Sequence, residues 1–124
     1  MTPARFRKLA LSMPDAVEGA HHDHPDFRAN GRIFASLHPD GVHGMVRLAP
    51  AEQERLVRQF GGTFAPANGA WGRAGCTNVH LPTADAGVLK DAMTLAWQAA
   101  TERAPGARVR GKTARSAKRS TKRS

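Results

Sequence analysis

The sequence predicts one α+β domain built on an antiparallel sheet, occupying residues 1–102, followed by a disordered basic tail over residues 103–124. Three observations carry this prediction: a hairpin signature near the centre of the domain, apolar stripes of helical period at both of its ends, and a break in composition at about Arg103. The hairpin is the stretch His21 to Leu37, in which Asn30-Gly31 supplies two positive-φ positions between strand formers, Phe27 before and Ile33, Phe34 and Leu37 after. Its register stays open. A two-residue loop sets Phe27 opposite Phe34, whereas one more loop residue puts Phe27 on the face with Ile33, Ala35 and Leu37.

Taken in order, the elements follow from local chemistry. Thr2 is a good helix cap, Pro3 suits a first helical position, and Phe6, Leu9, Ala10 and Met13 recur at helical spacing until Pro14 stops the helix. Ala16 to His22 is a weak candidate for a first strand. After the hairpin, His38-Pro39-Asp40-Gly41 signals a turn, and Val42 to Leu48 pairs back as a strand. Pro50 opens a second helix with Leu56, Val57 and Phe60 as its apolar stripe, and Gly61-Gly62 ends it. Thr63 to Gly75 reads as a loop holding a short strand. Cys76 to Leu81 alternates Thr77, Val79 and Leu81 against Asn78 and His80, the pattern of a half-buried strand. Pro82-Thr83 then caps a third helix over about Ala84 to Ala100. The expected order is α-β(3)-α-β(2)-α with three or four strands in the first antiparallel run.

Charge divides the chain more sharply than pattern does. Residues 1–102 hold ten Lys/Arg and ten Asp/Glu, while residues 103–124 hold nine Lys/Arg and no acid, so the net charge of +9 belongs to the tail. That tail lacks the apolar surface to offset its ordering entropy. No apolar run is long enough to cross a bilayer and no signal-peptide core is present, so a cytoplasmic protein is expected. The single Cys76 can form no internal disulfide and anchors no multi-cysteine metal site.

His24-Pro25-Asp26-Phe27-Arg28, Gly31-Arg32-Ile33-Phe34-Ala35, Pro50 opening a helix, Trp71-Gly72-Arg73 with Gly75, and Thr77-Asn78-Val79 together resemble the MmcQ/YjbR family of small bacterial proteins, over roughly residues 4–100. The resemblance implies a fold similar to secretion-chaperone-like folds, and a DNA-binding role through a double-wing-like arrangement of strands. The basic tail lies outside the family pattern.

These features point first to a non-catalytic nucleic-acid-binding protein, with DNA favoured over RNA. Each cation that neutralises a phosphate releases condensed counterions, and Arg103, Arg108, Arg110, Lys112, Arg115, Lys118, Arg119, Lys122 and Arg123 are suited to sequence-independent attachment. In the domain, Arg28, Arg32, Arg47 and Arg73 fall on or near strands, and a tight turn at Asn30-Gly31 places Arg32 at a hairpin tip that can reach a phosphate. The neutrality of the domain favours ordinary strand-edge charge over a phosphate-contacting face. Trp71 beside Gly72 reads first as a core or loop anchor, with base stacking as the alternative.

A second class is a metal or small-ligand site at His21, His22, Asp23, His24 and Asp26, with His38 and His43 at the other end of the hairpin region. No His-Glu-x-x-His or cysteine pair fixes a geometry there, and His24 reads as a structural hydrogen-bonding residue rather than a ligand. No cofactor is implied. Catalysis has less support: Cys76 and His80 share a strand face but stand about 13 Å apart, and no glycine-rich phosphate loop follows a strand. A protein-interaction module is a third class that the fold would permit.

Overall fold

A computed structural model describes residues 1–21 and 24–102. Helix α1 (Pro3–Leu11) begins where the sequence predicts, the Thr2 hydroxyl accepting from the Arg5 amide at 3.2 Å. Asp15 turns the chain at φ 60° into strand β1 (Val17–His21), which confirms the weakest of the predicted strands. The hairpin follows as β2 (His24–Ala29) and β3 (Arg32–Leu37), joined through Asn30 at φ 55° and Gly31 at φ 76°. Strand β4 (His43–Arg47) then leads into α2 (Pro50–Gln59).

The stretch read as a loop with a short strand holds more order than its composition suggests. It contains β5 (Phe64–Pro66) and a short helix, α3 (Gly69–Arg73), which Gly and Ala content concealed. After β6 (Cys76–His80), Leu81–Thr83 forms a 3₁₀ turn, and α4 (Ala86–Thr101) starts two residues later than predicted. Its cap is Asp85, whose carboxylate accepts from the Val88 amide at 3.0 Å, in place of Pro82-Thr83. The element order is therefore α-β(4)-α-β-α-β-α.

The six strands of the described residues join one antiparallel sheet in the order β1-β2-β3-β4-β6-β5. The hairpin resolves its open register by a third route. Ala29 pairs with Arg32 and Arg28 with Ile33, as a two-residue loop requires, but Phe27 pairs with Ala35. Phe34 is thus a bulge residue without a cross-strand partner of its own. The bulge lets Phe34 and Ala35, neighbours in sequence, both be fully buried, and Phe27 keeps the core position.

Helices α1 and α4 cover one face of this sheet. Phe6, Ala10, Phe27, Phe34, Val46, Val79, Leu89, Met93 and Ala96 are all inaccessible to solvent between them. The Phe6 and Phe27 rings meet at 6.2 Å between centroids, and Phe6 lies so close to Gly44 that a Cβ there would stand 2.7 Å from the ring. The Trp97 indole donates to the Pro14 carbonyl at 2.8 Å and ties α4 to the end of α1. Helices α2 and α3 sit at the β5–β6 side. There the Gln53 amide nitrogen faces three acceptors, the carbonyls of Gly72 and Cys76 and the hydroxyl of Thr77, at 2.9–3.1 Å. The opposite face of the sheet carries the polar residues of β2, β3, β4 and β6.

Candidate functional site

Cross-strand register decides what this polar face contains. Asp26 stands beside Ser36, Ser36 beside Met45, and Met45 beside Asn78, so one row of side chains crosses β2, β3, β4 and β6. Arg47 and Cys76 form the next pair along, and His43 and His80 close the other end. The link from β5 into α3 rises beside this row, with Ala67, Asn68 and Trp71 as its wall. Row and wall enclose an open concavity of about 470 Å³.

Trp71 overturns the reading of it as an anchor: it is 71% exposed at the rim of this concavity. Its neighbour Gly72 is the residue packed inward, where a Cβ would fall 1.9 Å from the Ala67 carbonyl oxygen, and this close approach turns the indole outward. Ile33, Met45 and Ala67 are the aliphatic side chains in the described lining of the hollow. Asp26 is 1% exposed, and its two oxygens accept from Arg28 Nε at 2.8 Å and Nη2 at 3.1 Å. That hydrogen bond, followed by the attraction of the carboxylate, raises the Arg28 guanidinium above its ordinary pKa. Gly19 on β1 makes room for the pair, since a Cβ there would stand 2.9 Å from Asp26 Oδ1. Burial pushes the Cys76 thiol up, with the nearby Arg47 charge working against it.

Four histidines line up along one end of the polar face. Ring centroids of His24 and His38 lie 6.4 Å apart, His38 and His43 6.2 Å, and His43 and His80 5.3 Å. The sequence placed His38 and His43 at the far end of the hairpin region from His24. Antiparallel pairing brings both open ends of a hairpin together, and the three are neighbours. His38 Nε2 lies 3.1 Å from Asn78 Oδ1, and His43 Nδ1 lies 2.7 Å from Asp40 Oδ2. Asp40 also accepts from the Val42 and His43 amides, and these bonds, that of Val42 first, lower its pKa to about 2. Among the described residues no group of three or more His, Cys, Asp or Glu side chains is placed to hold a metal ion. Of the cluster proposed as a metal or small-ligand site, His22 and Asp23 lie outside the described residues, and Asp26 is committed to Arg28.

The arginines singled out from sequence take three different settings. Arg28 is the ion-pair partner just described. Arg32 sits at the hairpin tip and reaches the C-terminal end of α4, donating through Nη1 to the Glu102 carbonyl at 3.3 Å. Arg73 ends α3, beside Ala74. A second groove of about 400 Å³ runs between this end of the sheet and α4, lined by Arg32, Arg47 and Ala74 with Ala96, Ala99 and Ala100, and its described lining contains no carboxylate. The nine tail cations, Arg103 to Arg123, lie outside the described residues. Arg47, weighed from sequence as a strand-edge cation, lines both the second groove and the hollow. Ser36, Met45 and Asn78 were given no site role from sequence, because only the register of four strands reveals that they share that hollow.

The family model described as YjbR matches residues 11–99. With most of the domain matched, an antiparallel sheet backed by helices and a polar hollow on its other face, the protein belongs to the YjbR family. The chain is similar to the crystal structure of Deinococcus radiodurans protein DR2400, described as having a DUF419 domain. The TM-score is 0.69 at 18% identity, covering 82% of this chain and 80% of that one, which is a likeness of fold. No curated protein matches the chain. No described helix is long and apolar enough to cross a membrane.

Proposed function

We propose that the protein is a non-catalytic nucleic-acid-binding protein, DNA favoured over RNA, that holds the phosphate backbone through its basic tail and the arginine end of its sheet. The observation that carries the reading is where the tail is rooted. Arg32 bonds the Glu102 carbonyl, and the first of nine tail cations is the next residue along the chain. Arg32 and Arg47 line the groove at that same end. A phosphate chain lying at this groove would meet Arg32 and Arg47 close to where the cation-rich tail begins in sequence, and each contact made releases counterions. The resemblance to a family with a proposed DNA-binding role supports the same reading.

The test is duplex binding over a salt series, comparing the natural chain with a full-length variant whose nine tail cations are all glutamine. If six to nine of them engage, log K falls against log salt with a slope of roughly −5 to −8, and the neutral-tail variant loses most of that slope. An R32Q/R47Q pair should lower the slope by about 1 to 2. Duplex binding that is absent, or indifferent to salt, refutes the reading.

A further inference from the structure

The hollow beneath Trp71 is unexplained by phosphate contacts alone. Phe6, Phe27, Phe34 and Phe64 are buried, and Trp97 packs against the core, yet Trp71 presents its ring to solvent over a concavity whose other surfaces include Ile33 and Met45. An exposed indole that lines one concavity with aliphatic side chains offers a slot for a flat ring. Polar groups stand at the sides of that slot. His38 Nε2 lies against Asn78 Oδ1, so with the proton on Nε2 the Asn78 amide keeps both N–H donors for a ligand. Neither the Asn78 amide nitrogen nor the Ser36 hydroxyl has a hydrogen-bond partner among the described residues. Arg47 brings a guanidinium to one end of the hollow, while the only carboxylate in its described lining, Asp26, is already held by Arg28 and repels an anion less. About 470 Å³ lies in the range of small-molecule sites, about 300–1,000 Å³.

We infer that this concavity binds a nucleotide, its base stacked on Trp71 over Met45 and Ile33, its edge read by Asn78 and Ser36, and its phosphate directed to Arg47. A planar base, edge donors and acceptors, and one negative group are the combination that the three sets of side chains match. The inference goes beyond the nucleic-acid reading, because a free mononucleotide and an unpaired residue of a strand present the same chemistry.

The experiment uses the full chain carrying W97F, so that Trp71 is the single fluorophore. It is titrated with each of the four deoxynucleoside monophosphates, with a twelve-residue oligo-dA strand and with a duplex of the same length. All titrations are run at salt high enough to suppress the tail's phosphate contacts. Saturable quenching by any monophosphate or by the single strand, with little from the duplex, is expected. Affinity for whichever probe quenches, measured by calorimetry in the natural background, should fall about tenfold or more in W71A and be largely kept in W71F. Quenching by the monophosphates alone identifies a free nucleotide as the ligand, and quenching by the strand alone identifies an unpaired residue. Quenching by neither, or affinity unchanged in W71A, overturns the inference. Duplex binding at low salt would in that case leave the phosphate-binding reading standing, and its absence would remove both.

Discussion

The two faces of the sheet are made from the same strands and follow different rules. On the helix-covered face most inward positions are filled by an aliphatic or phenyl group, with Gly44 making room for Phe6 and the Thr77 hydroxyl held by Gln53, and Phe6, Phe27, Phe34, Val46 and Val79 have no solvent contact. On the other face the same strands present Asp26, Arg28, Ser36, His43, Arg47 and Asn78, held in place by ion pairs and hydrogen bonds or left open to solvent. Packing density fixes the first face and leaves little choice of residue. The second face bears less of the domain's stability, which leaves its residues available for recognition.

The largest expected effect breaks the covered face. F34A removes a fully buried ring and should cost about 3–5 kcal/mol, whereas S36A, two residues on and facing the hollow, should stay within about 0.5 kcal/mol. Urea titrations of both variants check this, and equal costs would remove the distinction between the faces. Next in size is G75A. Gly75 holds φ 110°, and a Cβ would stand 1.9 Å from the Leu48 carbonyl oxygen at the junction of α3 and β6. A loss of at least about 1–3 kcal/mol is expected by the same titration.

The Asp26–Arg28 pair sharpens the comparison, because it is the one place, among the described residues, where the polar face buries a charge. R28A leaves the Asp26 carboxylate enclosed and without its partner, while D26N keeps an acceptor and loses only the charge. Thermal unfolding at neutral pH should therefore place R28A below D26N. The smallest effect concerns acid. The Asp40 pKa is lowered in the folded protein from 3.8 to about 2, so its contribution is complete above about pH 4 and is lost as pH falls through 2. In D40N, stability against pH should be flatter between those values, and a curve unchanged there would show that the bonds from Val42 and His43 do not bias the titration.

Sequence made the covered face legible because burial imposes a period. Phe6 and Ala10 at helical spacing, and Thr77, Val79 and Leu81 in alternation, are all buried as expected. The Asn30-Gly31 turn was legible because few residues accept two positive φ angles in succession. The hollow was not legible. Its row joins positions 26, 36, 45 and 78, and no local pattern tells which residue of one strand stands beside which residue of another. Trp71 was misread for a related reason: whether an indole points in or out depends on the close approach at Gly72, and nothing in composition announces helix α3. The histidine row was scattered in sequence for want of the same register.

The unpartnered Phe34 separates chain length from strand alignment. Were that residue deleted, Ile33 would still meet Arg28 and Ala35 would still meet Phe27, so the ladder would close as an ordinary two-residue hairpin with every pairing kept. What would be lost is an aromatic ring from the interior, leaving the outer row of Asp26 and Ser36 where it stands. A relative one residue shorter at this point could then be aligned with a single gap at Phe34 and keep its hollow, its evolutionary adjustment falling wholly on the packing between sheet and helices.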